Sequence, residues 1–290
     1  MKKVIKENLD GKRFILEQFD NLDEFVVACA RPSNSVFQGK SEPMKTGREA
    51  RNFTMTSNFA EAEGLLRNGW TEKLDEVRRE MAAFEKTLQQ DASYEKKRPA
   101  TSPVGFAPHV PNAVRGLPNS MIRTEQTPMK TKIVRIVYKM SMNAGWKADD
   151  IMKAGLLVLK FAHALEKKGL RVRIDVSPKF SNGDKERVCA LVCIKDWRQP
   201  LDLKKIAFPI AHPSMFRRFG FKWMETAPDI EDREFGWGYG RSDMSNQTCE
   251  SNLSECGVFN QGKDYFLDVF IADKCKYDVK LLAKELGCSL

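Results

Sequence analysis

The stretch IVRIVYKMSMNAGWKADD, residues 133–150, decides the fold because it joins an apolar, β-branched run to the start of a helix. TKIVRIVYKM predicts a buried strand, and KADDIMKAGLLVLKFAHALEKKG predicts a long helix that ends at Gly169. In an open α/β sheet, binding sites lie beyond the carboxyl ends of the strands. The junction KMSMNAG is therefore the first place to search for a ligand or a metal site.

The elements that follow this junction predict a mixed sheet. LRVRIDVSPKF alternates like a half-buried strand, and ERVCALVCIKD, which follows the turn SNGDK, is a further strand. A strand, a helix and a strand form a βαβ unit with parallel strands, and the short turn makes the third strand an antiparallel edge strand. Residues 200–226 predict helices broken near Pro209 and Pro213, and residues 264–273 and 278–287 predict a strand and a closing helix.

The whole pattern predicts a three-layer α/β fold, Rossmann-like, with a mixed sheet over residues 131–290. Residues 1–95 are predicted to form a helical N-terminal region. NLDEFVVACA shows helical spacing of its apolar residues, and the stretch 58–90 predicts two helices divided at Gly69. The sequence therefore divides into a helical region, a connector and an α/β domain.

Residues 96–130 form the connector between these two parts. The segment is rich in Pro, Gly and Ser, which predicts an irregular but ordered structure packed on the main domain. Its larger apolar residues need burial, and they are Val110, Val114, Leu117, Met121 and Ile122.

Composition bounds the class of protein and its partners. The net charge of +9 favours nucleic acid, anionic lipid or acidic protein as a partner, and it equally fits a basic protein with solvated lysines. No stretch reaches the roughly 18 apolar residues of a transmembrane helix, and the first residues lack the apolar core of a signal peptide. We therefore expect a cytoplasmic protein without membrane contact. The seven cysteines are an odd number spread along the chain, which predicts reduced thiols.

Two segments have the composition of a nucleic-acid surface. MFRRFGFKW, residues 215–223, interleaves cations that suit phosphates with aromatic rings that suit bases. FGWGYGR, residues 235–241, could bring backbone amides to a phosphate, although it lacks the flanking strand and helix of a phosphate loop. The alternative interpretation is an amphipathic helix with core aromatics and a packed aromatic loop. The candidate nucleic-acid-binding residues are Arg217, Arg218, Lys222, Trp223 and Arg241.

Catalytic and metal-binding patterns are weak in this sequence. The three histidines are scattered along the chain and no acidic cluster accompanies them, so a Ser-His-Asp or Cys-His arrangement has little support. Cys189 and Cys193 share one face of a strand but have no second pair at metal-ligand spacing. We therefore predict no enzyme activity, no metal and no cofactor.

The predicted order of elements resembles the von Willebrand factor A-type domain, whose metal site is an Asp-x-Ser-x-Ser motif at the end of the first strand. Aligned on residues 139–143, the motif keeps only Ser141, because Lys139 replaces the aspartate and Asn143 replaces the last serine. A lysine ammonium opposes a divalent cation held by oxygen ligands. The resemblance therefore implies a site without metal. Lys139 either reaches a solvent-facing edge or pairs with Asp196.

A second resemblance covers roughly half of the chain. NLDEFVVACA, FAEAEGLLRNGW, HVPNAVRGLPNSM and RIVYKMSMNAGWKADDIMKAGLLVLKFAHALEKKGLRVRI resemble an uncharacterised family found mainly in bacteriophages and mobile elements. None of these stretches is a catalytic motif. The resemblance implies a phage origin and a degenerate von Willebrand-like core.

These observations predict a non-enzymatic binding protein in the host cytoplasm. Its partner is expected to be a phage or host protein that contacts the strand-to-helix edge through Ser141, Asn143 and Trp146. The alternative is a basic accessory protein that binds nucleic acid.

Overall fold

Two sheets and a set of helices make up the computed structural model of this protein, which describes residues 2–7, 11–33, 41, 43–88, 98–125, 132–182, 186–227 and 246–288. The strands are β1 (Lys2–Glu7), β2 (Arg13–Phe19), β3 (Arg98–Ser102), β4 (Ala107–Pro108), β5 (Met121–Glu125), β6 (Ile133–Lys139), β7 (Arg171–Ser177), β8 (Lys179–Asn182), β9 (Glu186–Lys195) and β10 (Tyr265–Asp268). The α-helices are α1 (Leu22–Cys29), α2 (Arg48–Thr54), α3 (Phe59–Asn68), α4 (Thr71–Leu88), α5 (Val110–Val114), α6 (Ala148–Lys167), α7 (Leu203–Ala211), α8 (Phe221–Thr226), α9 (Asn246–Glu255), α10 (Val269–Lys274) and α11 (Val279–Glu285). A π-helix (Met215–Gly220) lies between α7 and α8.

The main sheet is mixed, as predicted. Within the described ranges it has seven strands in the order β1-β2-β9-β7-β6-β10, with β8 paired to β9 beside this row. β6 runs parallel to β7 and to β10, and β9 runs antiparallel to β7. The predicted βαβ unit is therefore β6-α6-β7, and the prediction of an antiparallel third strand is confirmed.

The N-terminal region differs from its prediction in one respect. α1, α3 and α4 are helices, and Gly69 ends α3 with a φ of 86°, as expected for a glycine. However, an all-helical region is wrong for β1 and β2, because β2 pairs in parallel with β9. The short run RFILEQF, which is mostly buried, supplies an inner strand of the main sheet, so β9 is not an edge strand.

Two further predictions need correction near the C-terminal half. α7 continues through Pro209 and ends at Ala211, so the break comes only before Pro213. The predicted strand at 264–273 is β10 followed by α10, because Asp268 accepts a hydrogen bond from Ile271 N–H and starts a helix there.

The two faces of the main sheet are unequally covered. The major face carries Ile136, Ile174 and Val176 and packs against most of the helices, including α1, α6 and α7. The minor face carries Val137 and Leu191 and packs against α9. α7 approaches α6 closely at Gly155, where a Cβ atom would lie 2.6 Å from the Cα of Ala211.

The predicted irregular connector contains a small antiparallel sheet with the strand order β3-β5-β4. Its chain crosses from β3 to β4 at Gly105, where a Cβ atom would lie 2.1 Å from the carbonyl oxygen of Ile122. Phe106 N–H then donates to that oxygen at 2.9 Å. Only glycine fits this crossing, because any other side chain would collide with the backbone of β5.

Candidate functional site

A row of buried polar residues lies where the parallel strands of the main sheet end. The strand register places Asp268 of β10 opposite Lys139 of β6, and Lys139 opposite Ser177 of β7. All three are at most 1% exposed. Because side chains alternate along a strand, these residues point to the minor face, on the same side as Val137 and Phe266.

Lys139 and Asp268 form an ion pair inside the protein. The Lys139 Nζ lies 4.0 Å from the Asp268 Oδ2, and neither side chain is exposed. The other oxygen, Oδ1, caps α10 by accepting from Ile271 N–H at 2.8 Å. Within the described ranges, Oδ2 accepts no hydrogen bond. Burial of a charge is costly unless an opposite charge compensates it, so this pair depends on both members.

Both sequence interpretations of Lys139 are therefore wrong. The residue is not at a solvent-facing edge, because it is 1% exposed. It does not pair with Asp196 either, since that carboxylate accepts from Arg198 Nε at 2.8 Å. β9 runs antiparallel to β7, which carries Asp196 to the opposite end of the sheet from Lys139.

Ser141 fixes the start of the β6–α6 loop, defined here as residues 140–147. Its hydroxyl donates to the Lys179 carbonyl oxygen at 2.6 Å and accepts from the Lys179 N–H at 2.6 Å. Ser141 is 1% exposed, so the hydroxyl holds the loop to β8 and is not on the surface. Of the three predicted protein-binding residues, this one is internal.

The outer part of the same loop is exposed and held at several points. The Asn143 Oδ1 accepts from Gly145 N–H at 3.1 Å, which forms a local turn. The Trp146 ring packs edge-on against Phe270 of α10, with centroids 5.2 Å apart. The Trp146 carbonyl accepts from Arg217 Nη2 at 3.0 Å. The structure thus brings Asn143 and half-buried Trp146 together on one ordered loop.

The chemistry of this site does not match a metal centre. Across the part of the chain that the structure describes, no three His, Cys, Asp or Glu side chains form a group that could hold a metal ion. The ammonium of Lys139 at the end of β6 opposes a cation there. Glu250 of α9 lies near the pair, and burial followed by the charge of Asp268 raises its pKa.

The basic and aromatic segment MFRRFGFKW is internal. Arg217 and Arg218 are 3% and 0% exposed. Arg217 donates to the carbonyl oxygen of Phe53 at 2.7 Å, and its guanidinium lies 4.2 Å from the Phe53 ring centroid. Burial lowers the pKa of Arg217 to about 10. Arg218 donates to both oxygens of Thr56 and to the Pro43 carbonyl.

The assignment of this segment to a nucleic-acid surface is therefore corrected. Trp223 is fully buried and donates from Nε1 to Glu17 Oε2 at 2.7 Å, so its ring cannot stack on a base. Lys222 is mostly buried and donates to Ser33 Oγ at 2.8 Å. Arg241 and the FGWGYGR loop lie outside the described residues.

Asp268 and Lys179 are the residues of this site that the sequence did not single out. Asp268 follows the short strand YFLD, and the rule that sites lie beyond strand ends would have selected it. Because the predicted strand continued to residue 273, Asp268 fell in its middle and not at its end. Lys179 sits on β8, a strand that the sequence merged with β7.

His212 and Cys189 lie in buried, packed surroundings. His212 is buried between Phe208 and Trp70, with ring centroids 4.8 and 4.7 Å away, and burial lowers its pKa to about 4. Burial raises the pKa of Cys189 to about 12. Such thiols are poor nucleophiles because the thiolate is the reactive form.

Comparison with protein families matches residues 3–288 to a domain of unknown function, DUF7192. No curated protein and no solved structure matches the chain. Across the described helices, none combines the length and the hydrophobicity needed to cross a bilayer.

Proposed function

This chain belongs to the DUF7192 family, and we propose that it is a non-enzymatic protein-binding domain that recognises its partner through the β6–α6 loop. The observation that carries the proposal is an exposed, ordered loop that begins directly after β6, whose last residue, Lys139, forms a buried pair with Asp268. Open α/β sheets place their binding sites at this edge.

Rigidity of the loop supports recognition of a protein. The turn at Asn143, the contact between Trp146 and Phe270, and the hydrogen bond from Arg217 each restrict the loop before a partner arrives. A surface that is already ordered loses less entropy on binding, which leaves more of the contact energy as affinity. Asn143 and Trp146 then supply the contacts, and Ser141 acts as a positioning residue beneath them.

Independence from metal is the second part of the proposal. Lys139 places a positive charge where a divalent cation would need acidic ligands, and Asp268 neutralises it. The loop therefore takes its shape from side-chain hydrogen bonds and packing. Chelators are expected to leave partner binding unchanged.

We also propose that the α/β domain has a von Willebrand factor A-like core and that the chain is phage-encoded. The order strand, helix, strand, antiparallel strand, helices, strand and helix from β6 to α11 supports the first statement. The resemblance of NLDEFVVACA and HVPNAVRGLPNSM to phage proteins supports the second. An odd number of dispersed cysteines favours a reducing compartment, and we propose the host cytoplasm.

Site-specific photo-crosslinking in the host bacterium tests this function. A photoreactive amino acid at Ala144, which is exposed within the loop, is expected to capture a discrete protein. The same amino acid at Ala82, an exposed position of α4, is the matched control and is expected to capture none of that protein.

Two results would contradict the proposal. Equal capture of the same protein from both positions would show that the loop has no special role. Capture of a nuclease-sensitive species at Ala144, with no protein, would favour the nucleic-acid alternative instead. The variant Asn143→Ala distinguishes a specific loop contact from nonspecific association, because it is expected to lower the yield of crosslinked protein at Ala144 without changing the fold.

A further inference from the structure

The small sheet carries an unusual concentration of exposed apolar side chains. Across the described ranges, eleven large hydrophobic residues are exposed, and five of them fall within residues 104–117. They are Val104 at 78%, Phe106 at 74%, Val110 at 62%, Val114 at 82% and Leu117 at 46%. The prediction that the valines at 110 and 114 and the leucine at 117 are buried is therefore wrong. Single exposed apolar residues are ordinary, but a local group of them marks an interaction site.

Two loops bring these side chains to the same end of the small sheet. Ser102 at the end of β3 and Pro108 at the end of β4 both pair with Met121, where β5 begins. The loop 103–106 and the longer loop 109–120, which contains α5, therefore both lie at this end, and we call them together the small-sheet surface.

The small-sheet surface is held in shape by its own backbone. His109 N–H donates to the Ser120 carbonyl at 2.7 Å, which closes the base of the longer loop. Within that loop, the side chain of Asn112 donates to the Asn119 carbonyl at 2.8 Å. The exposure of the apolar residues thus belongs to an ordered structure.

The charged residues between the two ends of the small sheet are arginines. From Arg98 to Thr124 the sequence contains three arginines and no aspartate, glutamate or lysine, and Glu125, at the far end of β5, lies opposite Arg98. Arg115 and Arg123 are exposed. A complementary partner must therefore offer apolar groups together with negative charge.

We propose that the small-sheet surface binds an acidic protein segment that carries apolar side chains. This interaction is additional to the one at the β6–α6 loop. The apolar residues of the segment cover Phe106 and the valines around it, and its carboxylates meet Arg115 and Arg123. Arginine suits this role because its planar guanidinium binds carboxylates through two parallel hydrogen bonds.

The composition favours a protein over a lipid surface. Attraction to anionic lipid generally uses clusters of about four to eight Lys or Arg residues, and this region has three arginines. Aromatic anchors at membrane interfaces are Trp and Tyr, and the region has neither. Protein interfaces are instead enriched in Phe and Arg and depleted in Lys, which matches these residues.

A displayed library of random peptides, selected on the immobilised full chain, tests this proposal. Selected peptides are expected to be enriched in Asp and Glu beside Phe, Leu or Trp. The double variant Phe106→Ser with Val114→Ser is expected to weaken a selected peptide about tenfold or more, because exposed anchors carry most of the binding energy. Val27→Ser is the matched control, since Val27 is 71% exposed on α1. The affinity of this variant for the selected peptide is expected to stay within twofold of that of the native chain.

Charge reversal and vesicle binding complete the test. Arg115→Glu is expected to weaken the same peptide, and added salt is expected to reduce the difference from the native chain. The proposal would be overturned by a library without acidic enrichment, or by peptides that bind the double variant as tightly as the native chain. If the native chain sediments with vesicles of anionic lipid and the double variant does not, the proposal is overturned in favour of a membrane surface. None of these variants is expected to change photo-crosslinking at Ala144, so the two proposals fail separately.

Discussion

The π-helix and the small-sheet surface differ in which side chains they bury. The π-helix places Arg217 and Arg218 in the interior, whereas the small-sheet surface leaves Phe106 and Val114 exposed to solvent. The arginines are buried because carbonyl groups between Pro43 and Thr56 accept their hydrogen bonds. The small sheet has three short strands, which offer little surface against which to bury a valine. Burial in this chain thus follows the supply of partners more closely than the polarity of a side chain.

The largest expected effect comes from removing a buried arginine. Arg218→Ala removes the buried hydrogen bonds that the guanidinium donates to Thr56 and to the Pro43 carbonyl, and we expect it to lower the free energy of unfolding by about 3 kcal/mol or more. Denaturant unfolding measures this loss. Arg115→Ala, at an exposed arginine of the small-sheet surface, is the control and is expected to change the free energy of unfolding by less than about 0.5 kcal/mol. Similar losses for both variants would show that the buried arginine stabilises the fold no more than the exposed one does.

A second, slightly smaller effect concerns the buried ion pair of Lys139 and Asp268. Lys139→Met leaves Asp268 as an uncompensated buried charge, and we expect a loss of about 3 kcal/mol. Adding Asp268→Asn removes that charge while keeping an oxygen to cap α10, so the double variant should recover much of the loss. A double-mutant cycle by denaturant unfolding measures the coupling. Losses that simply add would show that the two residues do not act as a pair.

A third effect depends on pH and concerns His212. Its pKa is lowered to about 4, so the unfolded chain binds a proton at a higher pH than the folded chain does. The contribution of His212 to stability is therefore complete above about pH 6.5 and is lost as the pH falls toward 4, at up to about 1.4 kcal/mol per pH unit. Unfolding measured across this range should show a flatter curve for His212→Gln. An identical slope in both proteins would contradict the assignment.

The smallest expected effect is at the small sheet itself. Phe106→Ser should change the free energy of unfolding by less than about 0.5 kcal/mol, because the ring is already exposed to solvent. Phe216→Ser is the matched variant in the π-helix, where the ring is 2% exposed, and it should cost about 3 kcal/mol or more. A large loss at Phe106 would mean that the small sheet buries that ring after all.

The sequence predicted the parts of the fold that local patterns control. β6, α6 and β7 follow from strong periodicity, and Gly69 marks a helix end because glycine adopts a positive φ without steric cost. β2 was missed because a short strand gains its stability from β9, which is far away in the sequence. The small sheet was missed for a similar reason, since its strands are too short to show a period.

The arrangement of the candidate site was only partly predictable. The choice of the strand-to-helix edge and the unsuitability of Lys139 as a metal ligand could be inferred from the sequence alone. The pairing of Lys139 with Asp268 could not, because it depends on which strand lies beside β6. The burial of Arg217 and Arg218 was equally hidden, since a buried arginine and an exposed one look the same in a sequence until their acceptors are known.

We propose that the β6–α6 loop recognises a protein without a metal ion. Calorimetric titration of the photo-captured protein into the native chain, with a chelator and then with magnesium, tests it most directly. Ala144→Arg adds bulk to the loop, and Ala82→Arg makes the same change on α4. We expect equal affinity in both buffers. We also expect Ala144→Arg to lower the affinity at least about tenfold and Ala82→Arg to leave it unchanged. Affinity that requires magnesium, or that Ala144→Arg leaves unchanged, would contradict the proposal.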